Sequence, residues 1–549
     1  MLKKLGIDSL LLFFVLSIAF LWLAFPSIQE SIFGQTKNTI SSLSVDDQVK
    51  FPEQGGYEKG EIRLNNDNLT LLYSRNGGDD FVVADDGLIN INDFSNEAII
   101  YKSTSIRWRH PKGGFPELKN IIVKVRDEDK KTESKPKVLT YFKRGICDYN
   151  SLVNITISED DLFDWEKGLM IYGEESSHDE GFQKDWWYRT ANFASRGSEW
   201  GRAVTVQFFQ DSQNDKLNFE YNCEMKISGN ATRYFPQKSL KFKILDEQGK
   251  PTKVPLFDSD PTHKSEQATS FLLRQGGNDN SRTLFADLLM HRLASGSEVA
   301  ILKGVSRSVF INGNYWGEYN VRQRIDPLMI AELEGVKEKN VTILYCEVYG
   351  DRSILKAGSK KQKIRFDSLI QSLPEKIIDK SDYELVKDQI SIKSFIDYII
   401  FETYFANQDW LHNNTTWYKA ADKKWKWILN DLDYSLAYPG TGNVNANLFD
   451  KLLTKNSITS QLFSSLIAYP KFNERFKNRV TEILADELAA KTISTRCASV
   501  KRNYSEGIDR QIRRWRFIDS IEQWEKDCAE NETFLLERRT IYQKQVQAL

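Results

Sequence analysis

The hydrophobic pattern of this 549-residue chain changes period near residue 360. Upstream, apolar residues recur at every second position in short runs. Downstream they recur at helical spacing. A strand buries alternate side chains and a helix every third or fourth, so the two halves cannot build the same kind of layer. A β-rich first half followed by an α-rich second half predicts an α+β protein with segregated layers.

Along the chain, residues 27–55 are polar and read as a linker. Residues 56–146 read as a small all-β, sandwich-like domain. Its candidate strands include Leu69–Tyr73, Ala98–Tyr101, Ser105–Arg109 and Ile121–Val125, with turns at Asn76-Gly-Gly78 and Asp86-Gly87. Residues 147–228 continue with strands, Val204–Phe209 and Asn218–Tyr221 being the clearest. The aromatic group Trp186, Trp187, Tyr188 and Trp200 is explained more simply by packing than by sugar binding. From Ser239 to Leu245, Leu240, Phe242 and Ile244 face one way and Lys241 and Lys243 the other. Leu284–Leu293 reads as a helix. Ser306–Ile311 and Tyr315–Asn320 read as a hairpin about Asn312-Gly-Asn314. Ile390–Phe405 carries a stripe of Phe395, Ile396, Ile399 and Ile400, and residues 459–549 read as almost wholly helical. Arg513-Arg514-Trp515 stands out there, and a packed amphipathic helix accounts for it.

The bulk properties narrow the function. The length is a prior of about three to four domains. Formal net charge is −1, so neither nucleic acid nor anionic lipid is expected as the main partner. The five cysteines, Cys147, Cys223, Cys346, Cys497 and Cys528, form no Cys-x-x-Cys pair. Isolated buried thiols are expected in preference to a Cys497–Cys528 bridge. The five histidines are scattered and support neither a His-based metal site nor a Ser-His-Asp triad. At the N-terminus, Lys3 and Lys4 precede an apolar run from Leu10 to Phe25 that only Ser17 interrupts. That reads as an export signal within residues 1–26, a hydrophobic helix a little short of the ~20 residues that span a bilayer. Bulky Trp22, Leu23 and Phe25 crowd its end, which favours an uncleaved anchor over a cleaved signal peptide. The bulk of the chain is then extracytoplasmic, tied to the membrane or secreted if the segment is cut.

The stretch with most chemical content is Asn407–Ser435. A polar loop follows a hydrophobic helix, then a strand at Trp417-Tyr-Lys419, then a second strand at Lys424–Leu429 that ends in Asp431-Leu-Asp433. Asp409, Asn414 and Asp431 thus flank one β-hairpin, which can bring them together. Phosphoryl transfer needs a carboxylate for the nucleophile's hydroxyl and hard oxygen ligands for magnesium against nucleotide phosphates. Protein kinases use an Asp, an Asn five residues later and an Asp beyond a hairpin, and Asp409, Asn414 and Asp431 have that order.

The same stretch resembles the CotH kinase family, related to spore-coat protein H, in which N-x-D-W-x-x-N-N precedes a hairpin with a W-x-W strand and a closing D-x-D. Four further segments carry the resemblance in order. They are Asp161-Leu-Phe-Asp-Trp-Glu-Lys-Gly168, Glu199-Trp-Gly-Arg-Ala-Val-Thr-Val-Gln-Phe-Phe209, Gly229-Asn-Ala-Thr-Arg-Tyr-Phe-Pro-Gln-Lys-Ser239 and Asn312-Gly-Asn-Tyr-Trp-Gly-Glu-Tyr319. The resemblance implies a two-lobed atypical protein-kinase-like domain over 229–549, with 147–228 as its β-rich extension. It implies ATP and Mg2+ as cofactors and an exported protein as substrate. It makes Asp409 the catalytic carboxylate and Asp431 the magnesium ligand, with Asn414 as helper. Asp433 becomes a second ligand or a structural acceptor. Arg233 would reach the phosphates from the Gly229–Arg233 turn, and Lys238, ahead of Lys241, would be the nucleotide lysine.

Three positions depart from the family pattern. Gln323 stands where a Glu is usual, Ala286 precedes Asp287 where an Arg-Asp pair is usual, and Leu272-Leu-Arg-Gln275 has Gln for Asn. Three functions follow as expectations: a kinase for Ser or Thr of exported proteins, a non-catalytic coat or adhesion protein, or a nucleotide-dependent transferase of another group such as AMP.

Overall fold

The computed structural model describes residues 43–549 except 58–59, 79, 144–151, 179–188, 210–215, 257–266, 347–350, 412 and 455–456. The apolar N-terminal run, Cys147 and the Trp186–Tyr188 group lie outside the described residues. Among the described residues no helix is long and apolar enough to cross a membrane.

The first part is β-rich, with one four-residue helix at Val45–Gln48. A three-stranded sheet (Val49–Lys50, Glu61–Leu64, Leu88–Asn90) shares one core with a larger sheet running in the order Gly55–Tyr57, Lys137–Lys143, Lys119–Asp127, Thr70–Ser74, Val82–Val83. Ile62, Leu71, Ile121, Val123, Leu139 and Tyr141 fill that core. Ala98–Tyr101 is not a strand: Ile99–Tyr101 forms a 3-10 turn with Ile99 and Ile100 buried. Ser105–Arg109 forms no strand either. Tertiary bonds override the local alternation here. Thr104 Oγ1 donates to the Pro236 carbonyl (2.8 Å) and Ser105 Oγ to that of Tyr234 (2.6 Å), which straps this segment onto the next layer.

That layer is a closed seven-stranded barrel: β1 (Leu152–Thr156), β2 (Arg202–Phe209), β3 (Leu217–Ser228), β4 (Ser239–Leu245), β5 (Ser270–Arg274), β6 (Gly304–Ile311) and β7 (Asn314–Gln323). The order is β1-β2-β3-β4-β5-β7-β6, and a parallel pairing of β1 with β6 closes it. Closure leaves no unpaired edge. Leu240, Phe242 and Ile244 point inward and are fully buried, joining Phe271, Leu273, Val309 and Trp316. Between β5 and β6 lies helix α1 (Ala286–Leu293).

The helical part surrounds a four-stranded sheet. Its strands β8 (Val341–Cys346), β9 (Ser353–Ala357), β10 (Thr416–Ala420) and β11 (Lys426–Ile428) run in the order β9-β8-β10-β11. Helix α2 (Ile392–Tyr404) lies against it, with every residue buried but Lys393. Trp417, Trp425 and Trp427 are at most 1% exposed and pack with Phe366 and Phe395 in the largest core of the protein. The chain ends in four helices: Pro470–Ala485, Ala490–Ser505, α3 (Ile508–Trp515) and α4 (Ile521–Gln547). The architecture is α+β, with thirteen α-helices among the described residues. Cys223, Cys346, Cys497 and Cys528 are free and buried, so Cys497 and Cys528 are not bridged.

The β6–β7 turn joins the first two layers. Asn312 and Gly313 both adopt positive φ, and Leu118 N donates to the Gly313 carbonyl (2.8 Å). A Cβ on Gly313 would overlap the Leu118 carbonyl, whereas one on Gly296, also at positive φ, meets nothing within 4 Å. Gly296→Ala is therefore expected to cost about 1–2 kcal/mol for the left-handed backbone alone. Gly313→Ala is expected to cost clearly more in denaturant unfolding; equal losses would refute the close packing at this turn.

Candidate functional site

The site forms where the barrel end, α1 and the loops around the β10–β11 hairpin meet. Helix α2 stops because Ala406 turns into the left-handed region, φ 56°. The chain then runs through Asn407 and Asp409 to β10. Asn414 Nδ2 donates to Asp409 Oδ2 (2.9 Å) and to its carbonyl (3.3 Å), while Asn413 Nδ2 lies 3.2 Å from the same oxygen. The Asp409–Asn414 spacing thus closes into a real contact. After β11 the chain enters Asp431, again at positive φ, 58°. Non-glycine residues held there store strain that surrounding bonds must oppose.

Two backbone bonds lay these loops side by side: Gln408 N to the Tyr434 carbonyl (3.1 Å) and Leu436 N to that of Phe405 (2.9 Å). Asn407 links them through its side chain, donating to the Asp431 carbonyl at 3.5 Å and accepting from Asp409 N at 3.1 Å.

The residue that sequence reading missed is Arg274. At the end of β5, its Nη2 ion-pairs with both Asp431 and Asp433. Burial alone would lower its pKa, but Asp431, Asp287 and Asp433 together hold it well above the ordinary value. Asp433 also accepts from Asn278 N (3.1 Å) and Nδ2 (2.9 Å). Burial and then repulsion from Asp431 raise Asp433 well above the usual carboxylate range, against the pull of Arg274. Behind this pair, Asp287 on α1 faces Arg322 Nη1 of β7 (2.8 Å) and accepts from Leu432 N (2.9 Å). Despite burial, Arg322, Arg274 and His291 hold Asp287 well below the usual range. The Leu-Leu-Arg-Gln segment was the available signal for Arg274, but nothing local shows which carboxylates it meets.

Two of the residues expected to bind phosphate, Arg233 and Lys238, are bonded to main-chain carbonyls. Arg233 spends its guanidinium on four main-chain carbonyls, those of Gly229, Phe193, Ser195 and Ile227, at 2.8–3.1 Å. Lys238 is fully buried. Its Nζ donates to the carbonyls of Arg233 (2.7 Å) and Phe235 (3.2 Å) and sits 3.6 Å from the centre of the Phe193 ring. Burial, then Arg233, lower its pKa well below the ordinary lysine value. In this structure both side chains brace the Gly229–Ser239 turn, and neither bonds to the carboxylates of the site. Lys241 is half-buried on the outer barrel face, its pKa lowered by burial and then by Arg324 and Lys226.

Among the described residues no three His, Cys, Asp or Glu side chains converge to hold a metal ion. Magnesium does not need such a cage, since one or two carboxylates with water and phosphate oxygens suffice. Asp431, with its side chain 37% exposed, and the Asn414 amide oxygen fit that role. Asp433 is more enclosed: its oxygens meet Arg274 and Asn278 in a 5% exposed setting, which suits the structural acceptor of the two roles expected for it.

A family model described as CotH kinase protein matches residues 225–542, more than half of the chain, and spans Arg274, Asp287, Asp409, Asn414, Asp431 and Asp433. The chain belongs to the CotH kinase family. A search of curated proteins finds no match. Membership carries nucleotide and metal dependence in general terms. The departures from the CotH pattern have local roles. Gln323 Oε1 accepts from Lys303 N (2.9 Å), a bond that a carboxylate or an amide oxygen makes equally well. Gln275 Oε1 accepts from Ser239 Oγ and so ties β5 to the start of β4. Ala286 donates its backbone N–H to Asp279 Oδ2 (3.0 Å) at the start of α1.

Glu402, fully buried on α2, has its pKa raised to about 8, by burial first and then by Asp287 and Asp431. A carboxyl whose folded pKa exceeds its unfolded one stabilises the fold fully below about pH 4.3 and loses that contribution as pH rises to its folded pKa. Glu402→Gln is expected to remove this slope, so that melting temperature falls less between pH 5 and 8 than in the parent. Identical pH profiles would show that Glu402 is not a buried neutral carboxyl.

Proposed function

We propose that this protein is an atypical protein kinase that transfers the γ-phosphate of ATP to Ser or Thr hydroxyls of exported or surface proteins. The observation that carries the reading is the Asp409–Asn414 contact, held beside the Asp431 turn by Asn407. On this reading the catalytic region is a two-lobed kinase-like domain, with the barrel as one lobe and the helical part as the other. The sandwich-like sheets in front of it serve as an accessory module. The apolar N-terminal run fits an anchor that leaves the bulk outside the cytoplasm.

Asp409 is kept in place by two asparagine amides and is accessible enough to meet a substrate hydroxyl. It orients that hydroxyl and takes its proton as the oxygen bonds to the γ-phosphorus; the bond to the β–γ bridging oxygen breaks and ADP leaves. Magnesium, when bound, neutralises charge on the phosphates. Asp431 and Asn414 would hold it. Arg274 supplies a fixed cation beside Asp431, the part first assigned to Lys238. In kinases such positioning and charge stabilisation provide most of the catalysis.

A second reading, a non-catalytic coat or adhesion protein, is favoured by one feature. Arg274 already neutralises both Asp431 and Asp433, so the charge a metal would balance is partly met. Full-length protein incubated with Mg2+ and ATP labelled at the γ- or the α-phosphate separates these readings. Transfer of γ-label is expected. Asp431→Ala should lose metal-dependent nucleotide binding by calorimetry. Asp409→Ala should bind nucleotide as the parent does and lose at least about 100-fold in rate. Transfer of α-label would mean a different group transferase, and no nucleotide binding by the parent would leave the non-catalytic reading.

A further inference from the structure

We propose that Asn407, braced by Glu402, is the positioning residue that sets Asp409 against Asp431. The proposal rests on the kinase reading for what the two carboxylates do, but its geometry stands apart from that reading.

Asn407 is 1% exposed and every polar atom of its amide is engaged. Its Oδ1 accepts from Asp409 N (3.1 Å). Its Nδ2 donates to Glu402 Oε2 (3.0 Å) and at longer range to the Asp431 carbonyl (3.5 Å). Three elements therefore meet at one side chain: the Asp409 loop, the Asp431 turn and helix α2. Among residues of this size only an amide both accepts and donates; aspartate lacks the donor and leucine lacks both. The left-handed turn at Ala406 folds the chain back over the last turn of α2, and the Asn407 backbone N–H bonds to the Glu402 carbonyl (3.2 Å).

Glu402 is suited to brace this amide. It is fully buried, and its raised pKa keeps the carboxyl neutral around pH 7, so it accepts from Asn407 without placing a second full charge behind Asp431. One turn earlier on α2, Tyr398 OH accepts from Trp410 Nε1 (2.7 Å) and fixes the residue after Asp409. Helix α2 thus holds the loop on both sides of the catalytic carboxylate. The neighbouring Gln408–Tyr434 and Phe405–Leu436 backbone bonds do not involve the Asn407 side chain. Removing that side chain leaves the two loops paired and frees only the ends that bear Asp409 and Asp431. A positioning error of about 1 Å can cost 100-fold in rate while binding persists.

The test uses full-length protein carrying Asn407→Ala, Asn407→Asp or Glu402→Gln. Asn407→Ala is expected to lower kcat by about 10- to 100-fold with KM for ATP within about threefold of the parent. It should also speed hydrogen exchange at the Asp409 amide at least tenfold while exchange in α2 stays slow. Asn407→Asp keeps the acceptor for that amide and loses the donor, so its Asp409 amide should stay protected while kcat falls. Glu402→Gln preserves the acceptor for Asn407, so its Asp409 amide should stay as protected as in the parent. An Asn407→Ala protein with parental Asp409 exchange, or folded Asn407→Ala and Asn407→Asp proteins with parental kcat, would overturn the proposal. If the parent transfers no phosphate, the kinase reading fails, yet the exchange rate still decides whether Asn407 tethers the loop.

Discussion

Arg274 leaves the barrel at the end of β5 and ends between two carboxylates of the helical half, Asp431 and Asp433. The rest of the site depends on this crossing. Beside it the Asp287–Arg322 pair joins α1 to β7, and Leu432 N closes the circuit on Asp287. β5, α1, β7 and the Asp431–Asp433 loop are locked together by charges of alternating sign, most of them buried. Truncating one partner of such a buried network typically costs about 3–5 kcal/mol, because the remaining charge stays buried and uncompensated. Neither half can form the site alone: the barrel supplies the cations and the loops of the helical half supply most of the carboxylates.

The same network explains how many anionic groups coexist in a small volume. Asp287 and Asp431 act on both Glu402 and Asp433, and two of the four respond in opposite ways. Asp287 stays charged because Arg322 and Arg274 outweigh its burial. For Glu402, burial and then Asp287 and Asp431 act in the same direction and push its carboxyl up to about 8. Asp431, with its side chain 37% exposed, is the most open of the four carboxylates. Gly277 is part of this arrangement. It adopts positive φ, and a Cβ there would overlap Asp433 Oδ2, so the loop after β5 can wrap the carboxylate only with glycine at this position.

Features set by local periodicity were legible in the sequence. The inward row Leu240, Phe242, Ile244 and the tryptophan face of the β10–β11 hairpin are buried as their spacing implies. The Asp409–Asn414 contact was legible as well, because five residues in one loop can close only a short distance. Arg274 was not, since its partners stand 157 and 159 residues away. The surroundings of Lys238 were hidden for a related reason. Its place before a strand suited a phosphate contact, but Phe193 and the Arg233 carbonyl enclose its ammonium. The Ala98–Tyr101 segment alternates like a strand, yet it lies as a strap, because bonds from Thr104 and Ser105 to the Tyr234–Pro236 backbone outweigh a weak local preference.

Backbone strain points to the same region by an independent route. Six of the eleven non-glycine residues with positive φ among those described, Ala406, Leu411, Asn414, Ala421, Asp431 and Leu436, fall within 406–436. Each such residue costs on the order of 1–3 kcal/mol and persists only where the surroundings over-determine it. Here the surroundings are identifiable. Asn414 is held by Asp409, Asp431 by Arg274 and Asn407, and Leu436 by the Phe405 carbonyl. A loop serving only as a connection could relax into unstrained turns, because nothing would be lost. This one cannot relax without separating Asp409 from Asn414 or turning Asp431 away from Arg274. The strain is thus concentrated where Asp409 and Asp431 are held in a fixed relation, the two residues on which the proposed phosphoryl transfer rests.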